Sequence, residues 1–573
     1  MNCKSLKIIL LLFLTASISC REGKTVTPRS KNAQTNKEQK SPNRFGGNLD
    51  LNFYLVGEKD LRERMIKSNI KAADKNKLLT CFVSGIEELQ AARQKIQNGE
   101  DAQETLSNAI NFFACAAEIF PCYETCFNLA SAYMDYNRPD EAASHFSKAV
   151  GHDVTQPGAI NSLAILDFRK GDYAGAEQKL TEALNKAVKH RDKEFGDFWQ
   201  AIILGNLAEF YAKTNRITKA LLLHQQALEY RRKLGNKLAE TETLVNMGNI
   251  NQHIQQYDQA VNYYQQALNL NRELKNKPGV VYSLGNLAAA RLAMGQNSQA
   301  IVYLTEAVAI QSQVSQKIDL ANLLHSLAIS YSQNHQPHEA VTRYRQAIEI
   351  YRKLQDKPNE ANAVNDLSLS YSQIGEFEKA LDQVGKSIAA YRALGNKTQE
   401  ANAIRNRAFI YEQAKNYKSA AKYYTQSLEL FRRERIRFEA ANTLRALGNL
   451  YMQQGQFALA VANYKQALDD YTNLEDQPGI ARTLLDLGQA YFKSRDLVQA
   501  ENNYQSALKL YQAMNDKPQQ ALCLNALGDL YTIRKQKEAA RKSYRQALSL
   551  FKELKDPKGA HVGKILAEME KVK

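Results

Sequence analysis

The chain has 573 residues, 24% of them charged, only 11 prolines and a formal net charge of +16. So few helix breakers, with abundant Ala, Leu, Gln, Asn, Lys and Tyr, predict a soluble, helix-rich protein and exclude a proline-rich or collagen-like chain. The excess cations collect late in predicted helices, at Arg231-Arg232-Lys233, Arg352-Lys353, Arg432-Arg433 and Lys552. There they offset the negative end of the helix dipole, and no finger or aromatic-basic strand motif accompanies them, so no nucleic-acid partner is expected.

Residues 1–20 combine Lys4 and Lys7, an apolar run from Ile8 to Leu14, small residues and Cys20. The run is too short for a mature membrane-spanning helix. The segment resembles a bacterial lipoprotein signal, with 1–19 removed and Cys20 lipidated. Ser17 departs from that pattern, which usually has Leu there, and Ser17-Ile18-Ser19 also fits ordinary signal cleavage, so plain secretion is the alternative. A cytoplasmic N-terminus is the third reading. Residues 20–50 are polar and without apolar period, which predicts a tether. Residues 51–120 read as an N-terminal helical cap holding a degenerate repeat.

Four cysteines, Cys81, Cys115, Cys122 and Cys126, cluster in this region. An oxidising envelope would permit one disulfide among them. A bridge between Cys122 and Cys126, one helical turn apart, would be strained. The other reading is that all four are small buried apolar residues.

From residue 201 onward the chain repeats every 40 residues. One column holds Leu207-Ala208, Met247-Gly248, Leu287-Ala288, Leu327-Ala328, Leu367-Ser368, Arg407-Ala408, Leu447-Gly448, Leu487-Gly488 and Leu527-Gly528. A second holds Ala220 and its equivalents through Ala540, and a third runs from Ala227 to Ala547, with Ser387 and Ser427 inside it. Pro278, Pro358, Pro478 and Pro518 mark helix starts, and Gly235 and Gly395 mark helix ends. Two further units with an insertion precede the run, within 121–200; nine units fill 201–560; residues 561–573 predict a closing helix.

Leu-Gly-x-x-Tyr, then Ala, an aromatic and Ala, as in Leu447, Gly448, Tyr451, Ala460, Tyr464 and Ala467, resembles the tetratricopeptide repeat. The 40-residue spacing is similar to the long-helix variety of kinesin light chains and spindle-orientation adaptors. The resemblance implies an all-α fold: a right-handed superhelical solenoid of about eleven or twelve helix-turn-helix units. It also implies that the first helix of each unit lines a concave groove that binds peptides.

Opposite the core face of that helix lie Asn442, Arg445, Asn449 and Gln453. Their columns give the candidate contacts: Asn322, Asn362, Asn402, Asn442 and Arg482 in one; Asn206, Asn246 and Asn286 in another; Asn365, Arg405 and Arg445 in a third. Amides offer a donor and an acceptor to a peptide backbone, and the arginines suit an acidic ligand. The competing reading is that such residues are solvated or bond to the next unit.

No nucleotide loop, metalloprotease helix or nucleophile elbow occurs, and repeats, tether and signal fill the chain. The expectation is a non-enzymatic scaffold with protein or peptide partners, no cofactor, no metal and no small-molecule substrate. A lipid anchor would hold it at the bacterial envelope, in secretion, pilus or outer-membrane assembly. The alternatives are a soluble adaptor or signalling regulator, and an accessory subunit of a cell-wall enzyme.

Overall fold

The computed structural model describes residues 57–68, 70–98, 100–313 and 317–571. The signal, Cys20 and the tether lie outside them. Twenty-six helices and no strands occur among the described residues. None of the helices is long and apolar enough to cross a membrane. The chain forms two compact bodies, divided after Asn334.

In the first body, α1 (Glu58–Ile66), α2 (Ala72–Asn98) and α3 (Gln103–Ile119) precede the regular pairs. These are α4 (Tyr123–Asp135) with α5 (Pro139–His152), α6 (Pro157–Lys170) with α7 (Tyr173–Val188), and α8 (Lys193–Lys213) with α9 (Ile217–Lys233). Then follow α10 (Lys237–His253) with α11 (Tyr257–Glu273), α12 (Lys277–Ala293) with α13 (Asn297–Gln311), and α14 (Lys317–Gln333). Cys81 on α2 and Cys115 on α3 form a disulfide with Cα atoms 6.1 Å apart. Cys122 and Cys126 are buried free thiols, so the four divide between the two readings above.

The second body starts with α15 (Pro337–Lys353). Its pairs are α16 (Lys357–Ile374) with α17 (Phe377–Ala393), α18 (Lys397–Gln413) with α19 (Tyr417–Arg433), and α20 (Arg437–Gln453) with α21 (Phe457–Asn473). Next come α22 (Gln477–Lys493) with α23 (Leu497–Ala513), and α24 (Lys517–Ile533) with α25 (Lys537–Glu553). The last helix, α26 (Lys558–Lys571), buries Val562 and Leu566 beside Tyr544 and Phe551.

Turn chemistry sets this regularity. A left-handed residue recurs every twenty positions, at 215, 235, 255, 275 and 295, and again from 335 to 555. After it the chain makes the paired bonds of a Schellman cap: Gly235 N–H donates to the carbonyl of Arg232 and Asn236 N–H to that of Arg231, both at 3.0 Å. Glycine fills this position at Gly235 and Gly375, but Gln255, Arg435 and Glu475 adopt it too.

Both alanine columns, including Ser387 and Ser427, are completely buried. Helices in a pair and in neighbouring pairs therefore meet across small side chains, and the rings fill what remains. A Cβ on Gly448 would lie 2.4 Å from Cε1 of Tyr464, and Gly248, Gly488 and Gly528 stand in the same relation to Tyr264, Tyr504 and Tyr544. The seated ring aims its hydroxyl at residue 449, where Asn449 Oδ1 accepts at 2.6 Å. At Ala408 the hydroxyl of Tyr424 goes instead to Glu412, at 2.8 Å.

Gly448→Ala should push the Tyr464 ring toward that second arrangement. Residue 452 is Met, so no acceptor waits there, and the expected cost is about 1–2 kcal/mol. Gly285→Ala, whose Cβ would meet nothing within 4 Å, should be neutral or mildly stabilising. Denaturant titration of both variants checks this; equal stability of Gly448→Ala and wild type would show that the ring is not confined.

Candidate functional site

First helices of neighbouring pairs touch directly, α6 with α8 and α10 with α12 in the first body, α16 with α18 and α22 with α24 in the second. No two second helices come as close among the described residues. Within each body the first helices therefore line the inner side, which is where the candidate residues were expected.

The structure separates those residues into groups. Asn206 is wholly buried, and its Nδ2 donates to Asn161 Oδ1 at 2.9 Å. Asn365 is equally interior and accepts from Asn406 Nδ2 at 3.2 Å. Both had been assigned to the groove; they are instead amide pairs that tie one first helix to the next. The assignment failed because the two columns lie at the flank of the helix, where a small twist turns a side chain from the groove into the seam. Asn246, Asn286 and Asn322 are half-buried on the inner side of the first body.

In the second body the Asn column is anchored from behind. Asn362 Oδ1 accepts from the Tyr391 hydroxyl at 2.7 Å, and Asn442 Oδ1 from that of Tyr471 at 2.6 Å. Each Tyr belongs to the second helix of the same pair, 29 positions on. At the third member that position is Phe431, and Asn402 Oδ1 accepts from Arg405 Nη2 at 2.8 Å instead. Each amide oxygen thus already accepts one internal bond, and Asn402 and Asn442 also donate through Nδ2, to Gln399 Oε1 at 3.5 Å and to Glu439 Oε2 at 3.4 Å; a ligand backbone would use the second N–H of each amide.

The arginines are likewise committed. Arg405 is ion-paired with Glu439 on α20, and both side chains are nearly buried. Arg445 Nε donates to Asp486 Oδ2 on α22 at 2.5 Å. Burial pulls the Arg445 guanidinium down, but Asp486 more than restores it, for a net rise above the ordinary arginine value. Gln453 Nε2 donates to Glu412 Oε1 on α18 at 2.6 Å. Burial raises the Glu412 carboxyl above its usual range against the hydrogen bonds from Tyr424 and Gln453. Side-chain bridges thus run continuously from α16 through α18 and α20 to α22. Asn449 is exposed but holds the Tyr464 hydroxyl.

Arg482 differs from the rest. Its Nε donates to the carbonyl of Pro478 at 3.2 Å on its own helix, and it forms no ion pair among the described residues. Burial and then the Arg445 charge lower its pKa, outweighing weaker pulls from Tyr471, Tyr511 and Asp476. Because Arg482 stands where Asn362 and Asn442 receive a tyrosine, the Tyr511 hydroxyl is left buried without a hydrogen-bond partner. The inner face of the second body therefore carries, on α22, a cation with no ion-pair partner among the described residues.

Tetratricopeptide-repeat models match residues 201–234, 239–313, 319–393, 401–433, 439–513 and 496–553. No curated protein matches the chain. Among solved structures, the chain is similar to BtubC from P. vanneervenii, at 22% identity over 37% of this chain and 88% of that one (TM-score 0.34). It is also similar to a Rap protein solved with competence and sporulation factor, at 17% identity over 62% and 98% (TM-score 0.38). A third is a kinesin light chain with TPR-like repeats from Podosopora anserina, at 21% identity over 34% and 95% (TM-score 0.32).

Asn442→Ala should cost about 1–2 kcal/mol, because it strands the buried Tyr471 hydroxyl. Tyr471→Phe in the same chain should recover most of that loss. A double-mutant cycle read by denaturant melts tests the coupling; purely additive effects would show that the hydrogen bond is idle.

Proposed function

The chain belongs to the tetratricopeptide-repeat family, and from that premise we propose an adaptor whose second body binds a carboxylate-bearing segment of a protein partner on its first-helix face. The fold is a protein-binding scaffold. The observation that supports the finer reading is Arg482: its neighbours Arg405 and Arg445 have carboxylates of their own, and it has none. A ligand carboxylate would supply that counter-charge through two parallel hydrogen bonds. The N–H groups of Asn362 and Asn442 would hold the ligand's backbone carbonyls along the way. No catalytic role is assigned to any residue.

Arg482→Ala should weaken binding of a partner captured by crosslinking at least tenfold, with the loss shrinking at high salt, and leave the melting temperature unchanged or higher. Arg405→Ala should do the reverse. It abandons Glu439 in a nearly dry site, at a cost of about 2–4 kcal/mol, while affinity changes little once the protein is folded. Calorimetric titration beside thermal melts separates the two; unchanged affinity of Arg482→Ala excludes the carboxylate contact.

The location reading rests on residues 1–20 alone. An array tethered through a lipidated Cys20 would act at a bacterial envelope, as a scaffold for secretion, pilus or outer-membrane assembly. Cys20→Ala should then shift the protein from the membrane to the soluble fraction or leave an unprocessed precursor. Fractionation and migration like wild type would favour the soluble adaptor.

A further inference from the structure

The column that carries leucine at 207, 287, 327, 367, 447, 487 and 527, and Met247 once, carries Arg407 in the pair α18–α19. A cation in place of a core leucine is costly unless something compensates it. Here no carboxylate does: among the described residues Arg407 makes no ion pair, and its Nε is shielded from solvent without a hydrogen-bond partner. Its guanidinium lies 4.6 Å from the ring centre of Tyr423 and 6.0 Å from that of Tyr411. Those two rings are stacked, with centres 5.3 Å apart.

A second departure from the repeat lies opposite. Position 385 is Gly, where the other pairs carry Gln225, Gln265, Thr305, Arg345, Thr425, Lys465, Gln505 and Arg545. The missing side chain opens a cavity of about 800 Å³ between α17 and α19, floored by Arg407 and lined by Tyr423, Lys422, Arg392 and Glu429. Arg392 is paired with Glu400 at 2.9 Å. Arg407 and Lys422 are therefore two cations that lie over the Tyr423 ring without a carboxylate partner, against the single exposed carboxylate of Glu429 in the lining.

The preceding pair is an internal control. The cavity between α15 and α17 is floored by Leu367, and Arg345 at the glycine position reaches in to donate to the Tyr371 hydroxyl at 2.5 Å. Its Arg352 and Lys357 share Glu360, at 2.9 and 3.1 Å. There Arg345 narrows the cavity to about 640 Å³ and Glu360 neutralises two of its cations; one pair later the cavity is wider and its Arg407 and Lys422 have no such carboxylate.

We propose that the cavity between α17 and α19 is a second binding site, on the outer, second-helix side, for the acidic side chains of a partner protein segment, with Arg407 as the carboxylate fork. Its lining comes from helix interiors, whose backbone N–H groups are already bonded within the helices. No helix N-terminus opens into it to wrap a phosphate. A planar guanidinium matches a carboxylate, and the stacked tyrosines offer an apolar wall to the methylenes of a glutamate. The volume lies within the usual range of ligand pockets, about 300–1,000 Å³. This site is distinct from the Arg482 reading and stands without it.

The test uses the full chain and a hexaglutamate peptide, titrated by calorimetry at low ionic strength. A saturable binding component is expected that is at least tenfold weaker in Arg407→Leu and in Gly385→Gln and is retained in Arg482→Ala, whatever that variant removes at the inner face. Arg407→Leu restores the repeat's own leucine, so its melting temperature should not fall. Should it fall, Gly385→Gln decides, because a Cβ there meets nothing within 4 Å: lost binding supports the site and retained binding overturns it. Absence of saturable binding, Arg407→Leu within twofold of wild type, or a loss confined to Arg482→Ala overturns the proposal. Tighter binding of inorganic phosphate than of the peptide overturns the assignment to carboxylates.

Discussion

One left-handed residue every twenty positions governs this molecule. Because each turn closes with the same pair of backbone hydrogen bonds, nearly every helix after residue 215 is held to 17 residues, and equivalent side chains return to equivalent places. Only about half a helix surface can be satisfied within a pair; the rest must meet the next pair, so an unbroken phase is what makes stacking work. The turn demands its conformation more strongly than it demands glycine: Gln255, Lys275, Arg435 and Glu475 all adopt positive φ. The cost of each is met by the packing that the turn permits.

With phase held, one column can serve several purposes. Gly448 leaves room for the Tyr464 ring, the ring orients its hydroxyl, and the hydroxyl holds Asn449. Tyr471 does the same for Asn442 from the other end of the helix. The polar residues of the inner face are thus fixed by rings in the core behind them. Where a core residue changes, the surface changes with it: Phe431 releases Asn402 to Arg405, and Arg482 strands Tyr511.

Bridging also explains why so polar a face is ordered. Arg405 with Glu439, Arg445 with Asp486 and Gln453 with Glu412 cross from one first helix to the next. Nearly dry pairs of this kind contribute little net stability when intact and penalise loss of either partner, so they act chiefly by fixing the relative rotation of successive pairs. Arg482 inside and Arg407 outside, the two proposed contacts, are among the cations that this bookkeeping leaves without a carboxylate partner.

Much of this was legible in the sequence. The 40-residue period, the helix pairs, the alanine columns and the proline starts are one-dimensional signals, because each reports a local steric or capping requirement that the chain must meet wherever it folds. That the candidate face lies on the first helix came from the resemblance to the tetratricopeptide repeat; periodicity supplied only which side of that helix is apolar and which is polar. What periodicity cannot assign is the partner of a side chain at the flank. Whether Asn206 faces a groove or Asn161, and whether Arg405 is free or held by Glu439, depends on a few degrees of rotation between helices 34 to 45 residues apart in sequence. The Arg407 substitution stood in the column from the start, yet only with Gly385 brought opposite it does the substitution become a cavity. Sequence determined the repeat and its small-residue seams, because those are local; the tertiary structure alone decided which charges were spent, because compensation is settled between neighbours that the sequence holds apart.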